Sequence, residues 1–234
     1  LENSAVVNIE PGSLTLSRRD LGMAALGTLV AGSAWVDPAA AMAFPDARTV
    51  ACRVMRQGRD IGRATTSFDR RGDDLRVTIA IDIRVRLGFI TMFRYTHSNV
   101  EQWQGERLAG FEAHTNDDGT PNFATARWNG SGFDVTGSRT AAYVAPPEAI
   151  GTSYWNARTL TDPLINSQNG KLLDVRLTPL GQTPARLAAG RTVEATEYRM
   201  TGDMRMNLWY DAARNWAGLQ YYAHDGSVLT YEEI

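Results

Sequence analysis

The stretch Leu75 to Leu87, LRVTIAIDIRVRL, constrains this chain more than any other. Its odd positions, Leu75, Val77, Ile79, Ile81, Ile83, Val85 and Leu87, are all apolar, and its even positions are polar or small. Period two over thirteen residues is the spacing of a strand with one face in a core and one face near water. On a helix the same odd positions would spiral around the whole circumference and leave no apolar stripe. A strand this long exceeds the usual length and must twist and curl with its neighbours. The expectation is an all-β protein, a single antiparallel sheet meander curled into a roll or incomplete barrel around an apolar interior.

Turn chemistry around this strand supports the reading. Gly72-Asp73 suits a two-residue hairpin with glycine first, which sets Phe68 opposite Val77, Thr66 opposite Ile79 and Ala64 opposite Ile81. Gly105-Glu106 is a second such turn, and its simplest register faces His97 with His114 and Trp103 with Leu108. Asp118-Gly119 reads as a type I′ turn and not as a calcium loop, because the alternating carboxylates and distal glutamate of such a loop are missing. At Leu87-Gly88 either a turn or a kink is compatible with the pattern. Strand rhythm covers Thr49 to Trp128, continues to Gly137, and resumes at Leu172 for five more strands ending at Glu233. Between Ala145 and Lys171 it stops. There the chain is expected to form one irregular or short-helical lid segment, with Pro147 in the first turn of the helix.

The N-terminal part is an address. Ser17-Arg18-Arg19-Asp20-Leu21 resembles the twin-arginine export motif; a modestly apolar GMAALGTLVAGSAWV follows, then an A-x-A site at Ala41–Ala43. The apolar run is short for a bilayer and rich in Gly, Ala and Thr. Residues 1–43 are therefore expected to be a removed twin-arginine signal peptide and 44–234 a single antiparallel β domain. This implies a periplasmic protein handled by the twin-arginine translocase, with no stable membrane span in the mature chain. The leader holds Arg18 and Arg19 against Glu2, Glu10, Asp20 and Asp37; the whole chain has 24 basic and 26 acidic residues, so the remainder is formally neutral. Without a basic patch, nucleic acid is not an expected partner. Cys52 is the only cysteine, which excludes an intramolecular disulfide.

Three groups of side chains carry possible chemistry. Arg94, Tyr95, His97 and Glu101 lie close on one strand and could form an acid–base wall or a salt-bridge ladder. His97 and His114 are weak metal candidates, because the chain lacks H-x-H or H-E-x-x-H spacing and a third nearby histidine. No cofactor is expected. Trp103, Tyr154, Trp155, Asn156, Asn166, Gln168 and Asn169 combine broad aromatic faces with uncharged amides, the combination that suits an amphipathic ligand.

The runs FRYTHSNVEQW, TNDDG, SYWN and GDMRMNLWYD, spread over nearly the whole mature chain, resemble a family of exported proteobacterial proteins defined only as a domain of unknown function. The resemblance implies fold and compartment and carries no activity. From the residues, the first expectation is a periplasmic β-roll that binds a lipid or amphipathic small molecule between sheet and lid. The alternatives are an enzyme on small molecules or polysaccharides using the Arg94, Tyr95, His97 and Glu101 cluster, and a structural envelope protein.

Overall fold

The long alternating strand runs Asp74–Leu87, with Leu75, Val77, Ile79 and Ile83 buried and Arg76, Thr78, Ala80, Arg84 and Arg86 exposed. The alternation read from the sequence is the alternation of the fold. The protein is represented by a computed structural model that describes residues 49–234, excluding 88 and 224 and the side chains of 87 and 189. The expected signal peptide over 1–43, with Arg18, Arg19 and the site at Ala41–Ala43, lies outside the described residues, as do 44–48.

In chain order the strands are β1 Thr49–Arg56, β2 Arg59–Arg71, β3 Asp74–Leu87, β4 Ile90–Gln104 and β5 Arg107–Asp117. Then come β6 Thr120–Trp128, β7 Phe133–Gly137, β8 Thr140–Ala145, β9 Ile150–Gly151 and β10 Leu164–Ile165. The last five are β11 Val175–Arg186, β12 Thr192–Gly202, β13 Met206–Asp211, β14 Trp216–Tyr222 and β15 Val228–Glu233. Among the described residues thirteen of these form one sheet, ordered β11-β12-β13-β14-β15-β1-β2-β3-β4-β5-β6-β7-β8, and β9 and β10 pair separately in parallel. Every pairing in the large sheet is antiparallel. It is not a simple meander from first strand to last. The final strand pairs with the first, so the two edges, β11 and β8, come from the middle of the chain.

The β2–β3 register is the one the turn chemistry implies: Phe68 opposite Val77, Thr66 opposite Ile79, Ala64 opposite Ile81. Gly72 has φ +63°, which only a residue without Cβ adopts at low cost. At the next hairpin Leu87 pairs with Ile90, and an irregularity between Val85 and Arg86 restores Ile83 opposite Tyr95 and Ile81 opposite His97. The chain therefore turns, one residue later than a turn at Leu87-Gly88 would place it.

Edges of an open sheet invite pairing with other chains. β11 carries Pro179 and Pro184, which have no N–H to donate, and its pairing with β12 is bulged at Pro179/Gly181. β8 is short and is covered by the segment that links it to β11: Arg139 N–H donates to the Asn169 carbonyl and the Tyr143 hydroxyl donates to Gly170 O at 2.9 Å. This linking segment, residues 146–174, is the expected irregular stretch, and it plugs one end of the roll. Pro146 and Pro147 form a turn and not a helix. The helical element lies further on, a single 3₁₀ turn at Ala157–Leu160 whose N-terminus is capped by Asn156, which accepts from Arg158 N–H. Most of the buried core packs between this plug and the inner faces of β3–β8 and β12–β14, with Phe133, Leu108, Ile150, Leu164, Ile165, Met200 and Leu208 among its fully buried members.

Candidate functional site

Strand β4 presents its odd positions, Tyr95, His97, Asn99, Glu101 and Trp103, to the interior, and its even positions outward. Pleating alone therefore divides the expected acid–base cluster. Arg94 is exposed on the outer face, cross-strand from Arg84, so it does not join Tyr95, His97 and Glu101. Those three do share a wall. Tyr95 and His97 lie nearly parallel with ring centroids 6.4 Å apart.

The His97–His114 pairing fails for the same kind of reason. A bulge between Gln102 and Trp103 shifts the β4–β5 register by one, so His97 faces Thr115 and His114 faces Ser98. A one-residue shift exchanges the faces of a strand. His97 is buried and shares a 2.8 Å hydrogen bond between Nδ1 and Thr115 Oγ1, whereas the His114 side chain is 66% exposed and pairs with Glu112 at 3.2 Å. The two rings belong to opposite sides of the sheet. Among the described residues no group of three or more His, Cys, Asp or Glu is arranged to hold a metal ion.

Glu101 is wholly buried. Its Oε2 accepts from the Trp103 indole at 2.9 Å and from the Trp155 indole at 3.0 Å, and its Oε1 accepts from Asn99 Nδ2 at 3.2 Å. Burial pushes its carboxyl above the ordinary carboxylate value, while the hydrogen bonds from Trp155, Ser153, Trp103 and Asn99 pull the other way. This carboxyl is the fastening between plug and sheet: one indole comes from each. Trp155 meets Phe68 and Trp103 edge-on, at 5.3 and 5.5 Å between centroids. Arg158 holds the next turn, paired with Asp162 at 2.5 Å and donating to the carbonyls of Glu106 and Glu148 at 2.7 and 3.0 Å.

Between the concave face and the plug lies a cavity of about 990 Å³. Its walls are mainly apolar: Val50 and Cys52 of β1, Ala64 and Phe68 of β2, Ile79, Ile81, Ile83 and Val85 of β3, Leu219 of β14 and Leu229 of β15. Polar groups gather where β4 meets the plug, in His97, Asn99, Ser153, Ser167 and Gln168, with Tyr95, Tyr154, Tyr221 and Tyr231 between them and the apolar wall. Burial lowers the His97 pKa to about 4, so at neutral pH the ring is an uncharged donor–acceptor. Burial likewise raises the hydroxyl pKa values of Tyr95, Tyr154 and Tyr231 and that of the Cys52 thiol, the last to about 12. Acidic and basic side chains also border the space: Arg56, Arg191, Asp211, Asp225, Glu233 and Asp117, the last cross-strand from Tyr95.

Of the expected ligand-binding residues, Tyr154, Trp155 and Gln168 line this cavity. Trp103, Asn156, Asn166 and Asn169 do not; they hold the plug together. Trp103 serves Glu101, Asn156 caps the 3₁₀ turn, Asn166 Oδ1 accepts from Gln168 N–H, and Asn169 Oδ1 accepts from Lys171 N–H. Asn99 was missed by the sequence reading, although its place between His97 and Glu101 at period two was the available signal. Among the described residues its Oδ1 has no hydrogen-bond partner, nor does Trp216 Nε1, and both residues line the cavity.

Comparison with known proteins places the fold. The chain is similar in structure to a beta-barrel-like protein of a domain of unknown function, DUF1849, from Brucella abortus, with a TM-score of 0.55 at 8% identity, over 80% of this chain and 94% of that one. No curated protein matches it. Residues 53–233 match the profile of a domain of unknown function (DUF6134), and the chain belongs to that family.

Proposed function

We propose that this protein is an exported periplasmic β-roll that binds a lipid or another amphipathic small molecule inside the sheet, against the plug. One observation carries the reading: a cavity of about 990 Å³ with apolar strand walls and a polar end beside the plug. That is the upper part of the range for small-molecule sites, roughly 300–1,000 Å³. A filled structural roll needs no such space, because native interiors pack about as densely as organic crystals. The unpartnered Asn99 Oδ1 and Trp216 Nε1 add to this. A buried polar atom without a partner costs about 1–3 kcal/mol, and a ligand hydroxyl or amide supplies the missing bond to such an atom. Export rests on the twin-arginine motif at Arg18 and Arg19.

The test is native mass spectrometry on the mature chain purified from its own periplasm, beside Ala64→Trp. Ala64 lines the cavity, so the larger ring projects into it and takes up part of the space a ligand would use. The expected result is a retained small-molecule mass on the native chain that is absent from the variant, while both unfold cooperatively. A bare native chain, together with a variant more stable than it, would mean an empty defect and not a binding site.

A further inference from the structure

The tip between β3 and β4 exposes three large apolar side chains within four residues: Phe89 at 107%, Ile90 at 65% and Met92 at 57% of their full accessibility. The other exposed large apolar residues among those described, such as Phe123, Val144 and Leu180, are scattered singly. Isolated exposed apolar residues need no explanation, but a cluster at one projecting tip does. Immediately behind it on the outer face stand Arg84, Arg86 and Arg94, all exposed. Arg84 is held by Asp82 at 3.0 Å, while Arg86 and Arg94 form no ion pair among the described residues. Arg84 lies directly across the ladder from Arg94; Asp82 offsets the charge of Arg84, while Arg94 has no such partner among the described residues. Among the described residues the one carboxylate bonded to Arg94 is Asp118, and it accepts from the backbone N–H.

Position gives this tip a role. Trp103, at the far end of β4, meets the plug through Trp155, and the tip is fourteen residues away along the same strand, about 45 Å at strand rise. The tip is therefore at the end of the roll opposite the plug. Val85 and Phe93, cross-strand partners just inside the tip, both line the cavity, so the cavity reaches the base of the tip.

We propose that the β3–β4 tip is a membrane-docking finger: Phe89, Ile90 and Met92 enter the interfacial layer of an anionic phospholipid bilayer while Arg86 and Arg94 engage headgroup phosphates. Apolar side chains backed by cations form the usual pairing at such interfaces, where neither part alone anchors firmly. Charge complementarity selects the bilayer over a second copy of the chain, since two such tips would bring their arginines together. The docking surface stands whether or not the cavity holds a lipid. If it does, the finger places the cavity entrance at the source of that ligand.

Flotation with phosphatidylcholine vesicles, with and without an equimolar share of phosphatidylglycerol, tests this on the full mature chain. The native protein should float with the anionic vesicles and much less with the neutral ones. F89S/I90S/M92S should lower binding roughly tenfold or more, and R86E/R94E should remove the preference for anionic lipid. V144S, at an exposed apolar residue elsewhere, should change nothing. Far-UV circular dichroism and the retained cavity mass of each variant, measured without vesicles, separate loss of docking from loss of fold or of ligand binding. Unchanged flotation of the triple variant, no flotation of the native chain, or a tip-dependent dimer in sedimentation velocity would each overturn the proposal.

Discussion

His97 shows how one buried side chain couples pH to stability. In the folded chain its pKa falls from 6.5 to about 4, because burial penalises the imidazolium. The unfolded chain therefore binds a proton between those values that the native state refuses, so stability is fully present above about pH 6.5 and is lost as pH falls towards 4. The full effect is about 3 kcal/mol as an order of magnitude. Glu101 acts in the opposite sense: its raised pKa makes the native state hold a proton longer, so its contribution is fully present below the ordinary carboxylate range and is lost as pH rises through the raised value. His97→Asn separates the two. Urea unfolding at pH 7 and pH 4 should show the native chain losing about 3 kcal/mol more than the variant over that interval. Equal losses would mean that the native imidazole is free to charge.

At the scale of elements, both the faces and the register of a strand were legible only where the hairpin is regular. The β2–β3 pairing follows from Gly72 alone, since a two-residue turn and two long alternating strands leave one register that keeps both apolar faces together. The β4–β5 pairing has the same kind of turn, yet the bulge beside Trp103 moves every pair beyond it, and His114 leaves the interior. Nothing local announces that bulge; it keeps Trp103 and Leu108 paired at one end and Phe111 opposite Glu101 above it. The plug was visible as a loss of period, but not its seat. Gly137 on β7 lies so close to Asn169 that an added Cβ would overlap the Asn169 carbonyl, and Gly170, at φ +85°, fits against it from the other side. Gly137→Ala should therefore lift the plug from the edge, at about 3 kcal/mol of stability. Limited proteolysis should then cut within 152–171 at enzyme levels that leave the native chain intact. Equal resistance would place the plug's anchorage at Glu101 and Arg158 alone.

The whole molecule depends on one pairing that joins its ends. β15 lies between β1 and β14, with Val54 opposite Tyr231 and Tyr221 opposite Leu229, and among the described residues it is the one link between the strands of the first and second halves within the sheet. Ending the chain at Ser227 should expose both neighbouring edges and divide the cavity wall. A truncated chain of this kind should show no cooperative urea transition in fluorescence or circular dichroism; a sharp transition at native amplitude would mean that each half is stable alone. From sequence alone came the all-β class, the inward face of Leu75 to Leu87, the hairpin turns at Gly72, Gly105 and Gly119, and the place where the meander stops. These depend on period two and on positive φ, both of which act between neighbours along the chain. Tertiary structure decided the β15–β1 closure, the bulge that parts His97 from His114, the indole–carboxyl fastening at Glu101 and the cavity itself. Each of these joins residues distant in sequence, and their partners are chosen by which packing buries the most apolar surface without stranding a polar group, a condition of the whole fold that no local pattern encodes.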